Sequence, residues 1–329
     1  MRLSPPKVSV VVPAYNVETW IAAAINSVIK QSLVDWELIV VDDGSTDRTA
    51  EIVRAIDEPR LVLESQENRG PTAARNRGFA RARGQYVALL DADDEYDPYF
   101  LQRTTELLDT HPSIGVVATN QYLVRRDGKC EIAFRDAAIR WLDDSATFVD
   151  YCRTRLTERC FPSNTAIVLR AKLISALGGY DPVVMGGEEL ELMLRWNKAT
   201  RIGYIAEPLA THYDRPGSFI KDLDRSIKAR ILLWRRVLQQ EPSYLTALPG
   251  YSKLRNMCLF RIAAVAIAAG YHGEAEEIAS LWPTSPRDRF WWAGKTLLAL
   301  PQPAWRLIHA LIGRTDAVRL RNDPGSKYG

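Results

Sequence analysis

Four carboxylates crowd into five consecutive residues, at Asp91, Asp93, Asp94 and Glu95. The residues before them, 86–90, form a short apolar run after Gly84, which is typical of a buried strand in a parallel sheet. Ligands of open α/β sheets bind beyond the carboxyl ends of the strands. Carboxylates this close repel one another unless water, protons or a cation neutralises them, and hard divalent ions take carboxylate and phosphate oxygens. The pattern therefore favours a metal–phosphate site over the alternative, a solvated acidic loop.

Short apolar strands alternate with helical segments ahead of this acidic stretch. Strands are predicted at residues 8–12, 36–41 and 60–63, and apolar residues recur at helical spacing over 21–29. Such an order indicates βαβ units, which build a parallel sheet with right-handed crossovers. The predicted fold class is α/β, with a mostly parallel, Rossmann-like sheet flanked by helices.

The composition excludes several classes of protein. The chain has 329 residues, 47% of them hydrophobic and 25% charged, and its net charge of +3 is too small to indicate a nucleic-acid partner. Its four cysteines are scattered without metal-ligand spacing, which indicates free thiols in a reducing compartment. No signal peptide is expected before the first strand, and no apolar segment approaches the roughly 20 residues that cross a bilayer. We expect a cytoplasmic protein.

The last third of the chain is helical in pattern. We predict a boundary near Phe219, which gives an α/β domain at 1–218 and an α-helical C-terminal region at 219–329. The basic, tryptophan-bearing segment 287–314 fits peripheral contact with the anionic inner face of a membrane, or helices that pack on the first domain.

Neither GxGxxG nor GxxxxGK[ST] follows the first strand, so the usual dinucleotide and P-loop cradles are missing. Instead, four stretches occur in order: VVVPAYN at 10–16, VVDDGS at 40–45, NRGPTAARNRG at 68–78 and LDADD at 90–94. Together they resemble the successive motifs of family 2 glycosyltransferases, and the likeness covers about residues 8–218. It implies the GT-A fold and inverting transfer of a sugar from a nucleotide-sugar, typically UDP-linked, to an acceptor hydroxyl. A glycan or lipid-linked glycan acceptor in surface polysaccharide assembly is the corresponding expectation.

The resemblance assigns nucleotide-sugar binding to eight residues: Pro13, Ala14, Tyr15, Asp42, Arg75, Asp91, Ala92 and Asp93. Of these, Tyr15 is expected to stack on the base, and Asp42 is expected to accept a hydrogen bond from the base N–H. Its neighbour Asp43 is expected to be structural. Arg75 is expected to approach the diphosphate, since guanidinium groups suit phosphate oxygens. Asp91 is expected to contact the ribose side.

The resemblance also implies a divalent metal, Mn²⁺ or Mg²⁺, bound by Asp93 with Asp94 in a supporting role. Its chemistry would be stabilisation of the departing nucleoside diphosphate. His212 falls in a stretch, 211–218, that we predict to be a polar loop resembling the family's late Arg/His-containing segment. There it would be either a metal ligand or a structural histidine.

The general base of the family is usually the Asp of a Glu-Asp pair at a helix start, after a glycine. This chain has Gly187-Glu188-Glu189, so Glu189 stands in the Asp position and Glu188 is the alternative base. The alternative to a catalytic role is that acids here merely complement the helix dipole.

Two other functions compete with this interpretation. A sugar-phosphate nucleotidyltransferase usually has a glycine-rich basic loop after the first strand, and residues 13–17 contain neither glycine nor a basic residue. A non-catalytic nucleotide-sugar or glycan-binding protein would keep the donor site and lack the base. Replacing Glu189 by glutamine would distinguish that protein from an enzyme.

Overall fold

A computed structural model describes residues 4–133, 163–182, 184, 188–215, 223–239, 251–268 and 271–281. The chain divides into two compact units, one made of Met1–Val183 with Glu188–Arg215 and the other of Val184–Gly187 with Pro216–Gly329. The domain boundary expected between residues 218 and 219 stays a prediction.

The first unit alternates strands and helices along the chain. Its strands are β1 Val8–Ala14, β2 Trp36–Asp42, β3 Leu61–Ser65, β4 Tyr86–Leu89, β5 Glu95–Tyr96, β6 Ile114–Val124, β7 Cys130–Ile132, β8 Ile167–Arg170 and β9 Arg201–Tyr213. Its α-helices are α1 Ile21–Ile29, α2 Thr49–Arg54, α3 Pro71–Arg81, α4 Phe100–Thr110, α5 Ala171–Leu177 and α6 Glu188–Ala199, and a 3₁₀ turn at Asn164–Ala166 precedes β8.

All nine of these strands belong to one sheet, in the order β3-β2-β1-β4-β8-β6-β9-β5, with β7 paired to β6. The strands β3, β2, β1 and β4 are parallel, as the alternating sequence pattern predicts. Beyond β4 the sheet is mixed, because β8 runs antiparallel to both β4 and β6, while β6 and β9 are parallel. The α/β class is thus confirmed, and the parallel half of the sheet presents the ends of β1, β2 and β4 at one edge.

Burial explains why the first strands are so apolar. The side chains of β2 are all buried, and those of β1 are buried apart from Pro13. Strands covered on both faces read as continuous hydrophobic runs. The strand β1 continues through Pro13 to Ala14, two residues beyond the predicted end at Val12.

The last strand of the sheet is much longer than predicted. The sequence pattern predicts a strand at 201–205 and a polar loop at 211–218, whereas β9 runs to Tyr213. It stays paired with β6 to the pair Val124↔Tyr213, and register shifts near Asn120 accommodate Pro208. Main-chain pairing with the 11-residue β6 thus outweighs the polar composition. As a result, His212 lies on a strand of the sheet and the loop prediction is wrong there.

The second unit is helical where it is described, with α7 at Leu223–Gln239, α8 at Tyr251–Ala268 and α9 at His272–Ser280. The sequence pattern predicts a helical hairpin with segments at 259–269 and 275–281 and a turn between residues 270 and 273, and α8 and α9 correspond to its two helices. Among the described residues, no helix has the length and apolarity to cross a membrane. The segment 287–314, for which membrane contact was an alternative, lies outside the described residues.

Candidate donor and base site

The loops that follow β1 and β2 are fastened to each other at the carboxyl edge of the sheet. The amide of Asn16 donates to Ser45 Oγ (3.0 Å), and the amide of Thr46 donates to Asn16 Oδ1 (2.8 Å). Asn16 has φ of 52°, a left-handed conformation that asparagine tolerates better than most residues. This fastened loop presents Tyr15 with 46% of its surface exposed, while Ala14 is buried and Pro13 is half-buried. An exposed aromatic on a hydrogen-bonded loop suits the base-stacking role that Tyr15 is predicted to have.

The two adjacent aspartates after β2 have different partners. Asp42 is buried, and its Oδ1 accepts a hydrogen bond from the amide of Ser45 (3.1 Å). Asp43 accepts hydrogen bonds from the Gln66 side chain (2.7 Å) and from the amides of Arg69 (2.9 Å) and Gly70 (2.8 Å). Asp43 therefore holds the loop that leads into α3, which is the structural role expected of it. The contact of Asp42 with a base stays a prediction.

The acidic residues after β4 form a tight turn, which is hydrogen-bonded to Thr165 in the 3₁₀ turn that precedes β8. The amide of Asp94 donates to the carbonyl of Asp91 (3.0 Å). Thr165 Oγ1 accepts from the amide of Asp91 (3.1 Å) and donates to Asp94 Oδ2 (2.7 Å). Sequence reasoning missed Thr165, because it lies 71 residues away from Asp94 and no motif marks it.

Asp94 is completely buried and is engaged by the end of β9 as well. Its Oδ1 accepts from the amide of Tyr213 (3.0 Å), and His212 Nδ1 lies 3.0 Å from its Oδ2. Both carboxylate oxygens thus have partners inside the protein. These contacts argue against the direct supporting role at a metal that was considered for Asp94.

The crowding of carboxylates in this turn changes the pKa of the neighbouring Asp93. Burial, and then the charges of Asp94 and Asp91, raise the pKa of Asp93 to about 7. Burial alone would lower the pKa of His212, but the hydrogen bond and charge of Asp94, with the charges of Asp91 and Asp93, raise it to about 9. The turn therefore holds an excess of negative charge that a cation would relieve.

The side-chain atoms around Asp93 fit a metal ion that is coordinated partly by the protein and partly by the phosphates of a bound substrate. Among the residues that the structure describes, no group of three or more His, Cys, Asp or Glu side chains could hold an ion by itself. Mg²⁺-type ions are usually bound by one or two carboxylates plus substrate phosphates. The oxygens of Asp93 and the second ring nitrogen of His212 fit that partial type of site, and their role as ligands stays a prediction.

Arg75 connects the acidic turn to the start of α6. Its guanidinium is buried and donates from Nη2 to Asp91 Oδ1 (2.7 Å) and from Nη1 to Glu188 Oε1 (3.1 Å). Burial would lower the pKa of Arg75, but the charges of Asp91 and Glu188 and the hydrogen bond to Asp91 raise it well above its usual range. The predicted approach of Arg75 to the diphosphate remains untested, whereas its bridge between two carboxylates is a structural fact.

A buried tyrosine, Tyr180, also lies beside the guanidinium of Arg75. The guanidinium carbon lies 5.3 Å from the centre of the Tyr180 ring, a cation–π distance. The ring is held at one end by its hydroxyl, which donates to Asn164 Oδ1 (2.7 Å), and at the main chain by the side chain of Asn76 (2.8 Å from both N and O). Sequence reasoning missed this clamp too, since its members come from α3, the 3₁₀ turn and the segment after α5.

The first turn of α6 carries three acids, Glu188, Glu189 and Glu191. Glu188 is held by Arg75, as described above, and Glu191 pairs with Arg195 (2.7 Å). Arg195 also donates to the carbonyls of residues 177–179, so Glu191 belongs to a structural contact between α5 and α6. The half-buried Glu189 is the third acid of this turn.

Comparison with known proteins agrees with this architecture. The sequence profile described as "Glycosyl transferase family 2" matches residues 9–155. The succinoglycan biosynthesis protein ExoO of Rhizobium meliloti is 39% identical over 135 residues, which cover 41% of this chain and 38% of that protein. The chain spans about half the length, or less, of the first curated relatives that it matches, with shares of 38% to 55%.

Two solved structures show the same fold at low identity. TarS 1–349 of S. aureus, in complex with UDP-GlcNAc, has a TM-score of 0.65 and 19% identity over 95% of this chain and 89% of that one. The mannosyltransferase PcManGT of Pyrobaculum calidifontis, in complex with GDP-Man and Mn²⁺, has a TM-score of 0.59 and 19% identity over 97% and 87%. The profile of glycosyltransferase family 2 thus matches residues 9–155 of this chain, and the curled mixed sheet is of the GT-A type.

Proposed function

We propose that this protein transfers a sugar from a nucleotide-sugar donor, most simply a UDP-sugar, to an acceptor hydroxyl with inversion at the anomeric carbon. The nucleoside would lie at the ends of β1 and β2, with its base against Tyr15 and Asp42. Its ribose and diphosphate would extend towards Asp91 and Asp93.

The observation that carries this proposal is the double ion pair of Arg75. Asp91 comes from the end of β4, and Glu188 comes from the start of α6, yet one buried guanidinium contacts both. The predicted donor residues and the predicted base helix therefore meet at one place, although 113 residues separate Arg75 from Glu188. A transferase needs this proximity, because the acceptor must approach the anomeric carbon while the donor is bound.

Glu189 is proposed as the general base because it stands in the position of the family's Asp, directly after Gly187 and Glu188. A base needs a carboxylate within hydrogen-bond reach of the acceptor hydroxyl. The Oε1 of Glu188 already accepts a hydrogen bond from Arg75, so this oxygen is occupied by the bridge to Asp91. Glu191 is engaged in the same way by Arg195. The reaction would be a single displacement. Glu189 takes the proton of the acceptor hydroxyl while the hydroxyl oxygen bonds to the anomeric carbon and the bond between that carbon and the diphosphate breaks.

The residues Asp93 and His212 would hold the divalent metal, Mn²⁺ or Mg²⁺. When bound, such a cation would stabilise the negative charge of the nucleoside diphosphate. The Mn²⁺ in the PcManGT complex supports this part of the proposal, as does the raised pKa of Asp93.

For the acceptor, we propose a glycan or lipid-linked glycan used in polysaccharide assembly at the inner face of the membrane. The name of the R. meliloti relative, a succinoglycan biosynthesis protein, supports this class of acceptor. Peripheral contact through the C-terminal region would fit such a substrate.

The direct test measures the release of nucleoside diphosphate from a panel of UDP-, GDP- and TDP-sugars, in the wild type and in Glu189→Gln. We expect kcat to fall by about 10²- to 10⁴-fold, the usual contribution of a general base. In Glu188→Gln we expect a smaller fall in kcat. A fall as large as that in Glu189→Gln would identify Glu188 as the base instead.

The matched control is Glu191→Gln, the same chemical change in the same helical turn. Because Glu191 is engaged with Arg195, we expect its kcat to stay within about threefold of the wild type, a small effect against the base contribution. Full turnover by Glu189→Gln would contradict the proposed mechanism.

A second test concerns the donor alone. Calorimetric titration of UDP, with GDP and TDP as controls and with or without Mn²⁺, should show metal-dependent binding of UDP that Asp93→Ala abolishes. If the folded protein bound none of the three nucleotides, the proposed function would be wrong.

A further inference from the structure

Asp94 is the most enclosed carboxylate of the acidic turn, and it is contacted from two distant parts of the chain. It is 0% exposed, and it accepts hydrogen bonds from Thr165 Oγ1 (2.7 Å) and from the amide of Tyr213 (3.0 Å). His212 Nδ1 lies 3.1 Å and 3.0 Å from its two oxygens. A buried carboxylate needs such donors. Here they also join the turn to the end of β9, 118 residues further along the chain.

His212 itself has one nitrogen engaged and one accessible. Its Nδ1 faces Asp94, and among the described residues Nε2 has no hydrogen-bond partner, while 38% of the side chain is exposed. The charges of Asp91 and Asp93 act on the ring as well. The second nitrogen of the imidazole is therefore accessible to a ligand beside the acidic turn.

We propose that Asp94 and Thr165 are positioning residues for His212. Asp94 accepts the Nδ1–H of His212, which leaves Nε2 as the ring nitrogen that would face a divalent cation shared with Asp93. This inference rests on the proposed function and assigns a task to two residues that would not touch the donor. Metal-binding histidines almost always donate their other ring N–H to a carboxylate or carbonyl, which sets the tautomer and the orientation of the ring.

Thr165 matters because its hydroxyl has one proton to donate. It accepts from the amide of Asp91 and donates to Asp94 Oδ2, so its orientation is set from both sides. Valine has the same shape and lacks the hydroxyl. In Thr165→Val, the amide of Asp91 loses its acceptor and Asp94 loses one donor. Serine keeps both hydrogen bonds and is the conservative variant.

The experiment follows Mn²⁺ on the full chain in the presence of UDP. Titration gives the affinity, and pulsed electron paramagnetic resonance detects a directly bound ¹⁴N nucleus. We expect a ¹⁴N coupling in the wild type that His212→Gln abolishes. Asp94→Asn and Thr165→Val should weaken the coupling and lower the Mn²⁺ affinity by about 10- to 100-fold, and Thr165→Ser should stay near the wild type.

Each of the other outcomes has a distinct meaning. Mn²⁺ bound by the wild type without ¹⁴N coupling would exclude His212 as a ligand and overturn the inference, while the transferase proposal would stand. Unchanged affinity and coupling in both Asp94→Asn and Thr165→Val would also overturn it. If the wild type bound no Mn²⁺ with UDP, the metal part of the proposed function and this inference would fail together.

Discussion

Replacing Arg75 by lysine removes the bridge between the acidic turn and α6 and keeps the positive charge. The planar guanidinium reaches Asp91 with one nitrogen (2.7 Å) and Glu188 with another (3.1 Å). A lysine ammonium is a compact charge on a flexible chain and does not reproduce this fork. We therefore expect Arg75→Lys to keep one of the two ion pairs.

The size of the effect follows from burial. The Arg75 side chain is 7% exposed, and those of Asp91 and Glu188 are 26% and 12% exposed. A hydrogen bond to a charged group contributes about 1.5–3 kcal/mol, and loss of one partner of a fully buried pair costs about 3–5 kcal/mol. Since Asp91 is partly solvated and the charge is kept, we expect the free energy of unfolding to fall by about 2 kcal/mol.

Catalysis should be more sensitive than stability. A displacement of about 1 Å at a catalytic group can cost roughly 100-fold in rate, and Arg75 holds the first residue of the helix that carries Glu189. We expect kcat/KM to fall by about that factor. The assays are urea unfolding followed by circular dichroism and initial rates of nucleoside diphosphate release.

The matched control is Arg77→Lys, the same change two residues further along α3. Arg77 is 43% exposed and pairs with Glu64 at 2.9 Å, and exposed pairs contribute about 0–1 kcal/mol. Its activity should equal that of the wild type. If Arg75→Lys and Arg77→Lys lost the same small stability and kept full activity, the bridge would have neither of the roles assigned to it.

Two further predictions concern the scaffold. In Gly78→Ala the new Cβ would lie 2.2 Å from Val11 Cγ1, so α3 must move off β1; thermal unfolding should show a loss of about 1–3 kcal/mol. For Asp47, burial raises the pKa, but hydrogen bonds from Thr49 and from the amide of Glu18 outweigh it and lower the pKa below its ordinary 3.8. Its contribution to stability is therefore present above about pH 4 and is lost as the pH falls through the folded-state pKa. Asp47→Asn should lower the melting temperature at pH 7 and reduce the further drop on acidification, and an equal acid-induced drop in both proteins would refute this assignment.

Local pattern was enough to predict the parallel half of the sheet. The apolar runs that become β1, β2 and β4 are buried in the sheet. Strands buried on both faces can be recognised in a sequence because their residues are almost continuously hydrophobic. The position of the acidic turn was predictable for the same reason, because the turn directly follows the apolar run of β4. These predictions succeed because burial acts on each short segment separately.

Long-range pairing decided the rest. The polar residues at 211–213 read as a loop, and they form part of a strand because β6 offers a main-chain partner up to Val124. Strand pairing depends on the partner as much as on the segment itself. A sequence pattern that describes one segment at a time does not contain that partner.

The chain by itself determined which chemical groups stand at the strand ends and at the start of α6: Asp42, Asp91, Asp93 and the acids of the first helical turn. Only the tertiary structure decided which partner each group contacts. Glu188 is paired with Arg75, and Asp94 is contacted by Thr165 and His212. The physical reason is that charge and hydrogen-bonding capacity belong to a residue, whereas the partner that satisfies them is brought by the folding of segments about 70 to 120 residues apart.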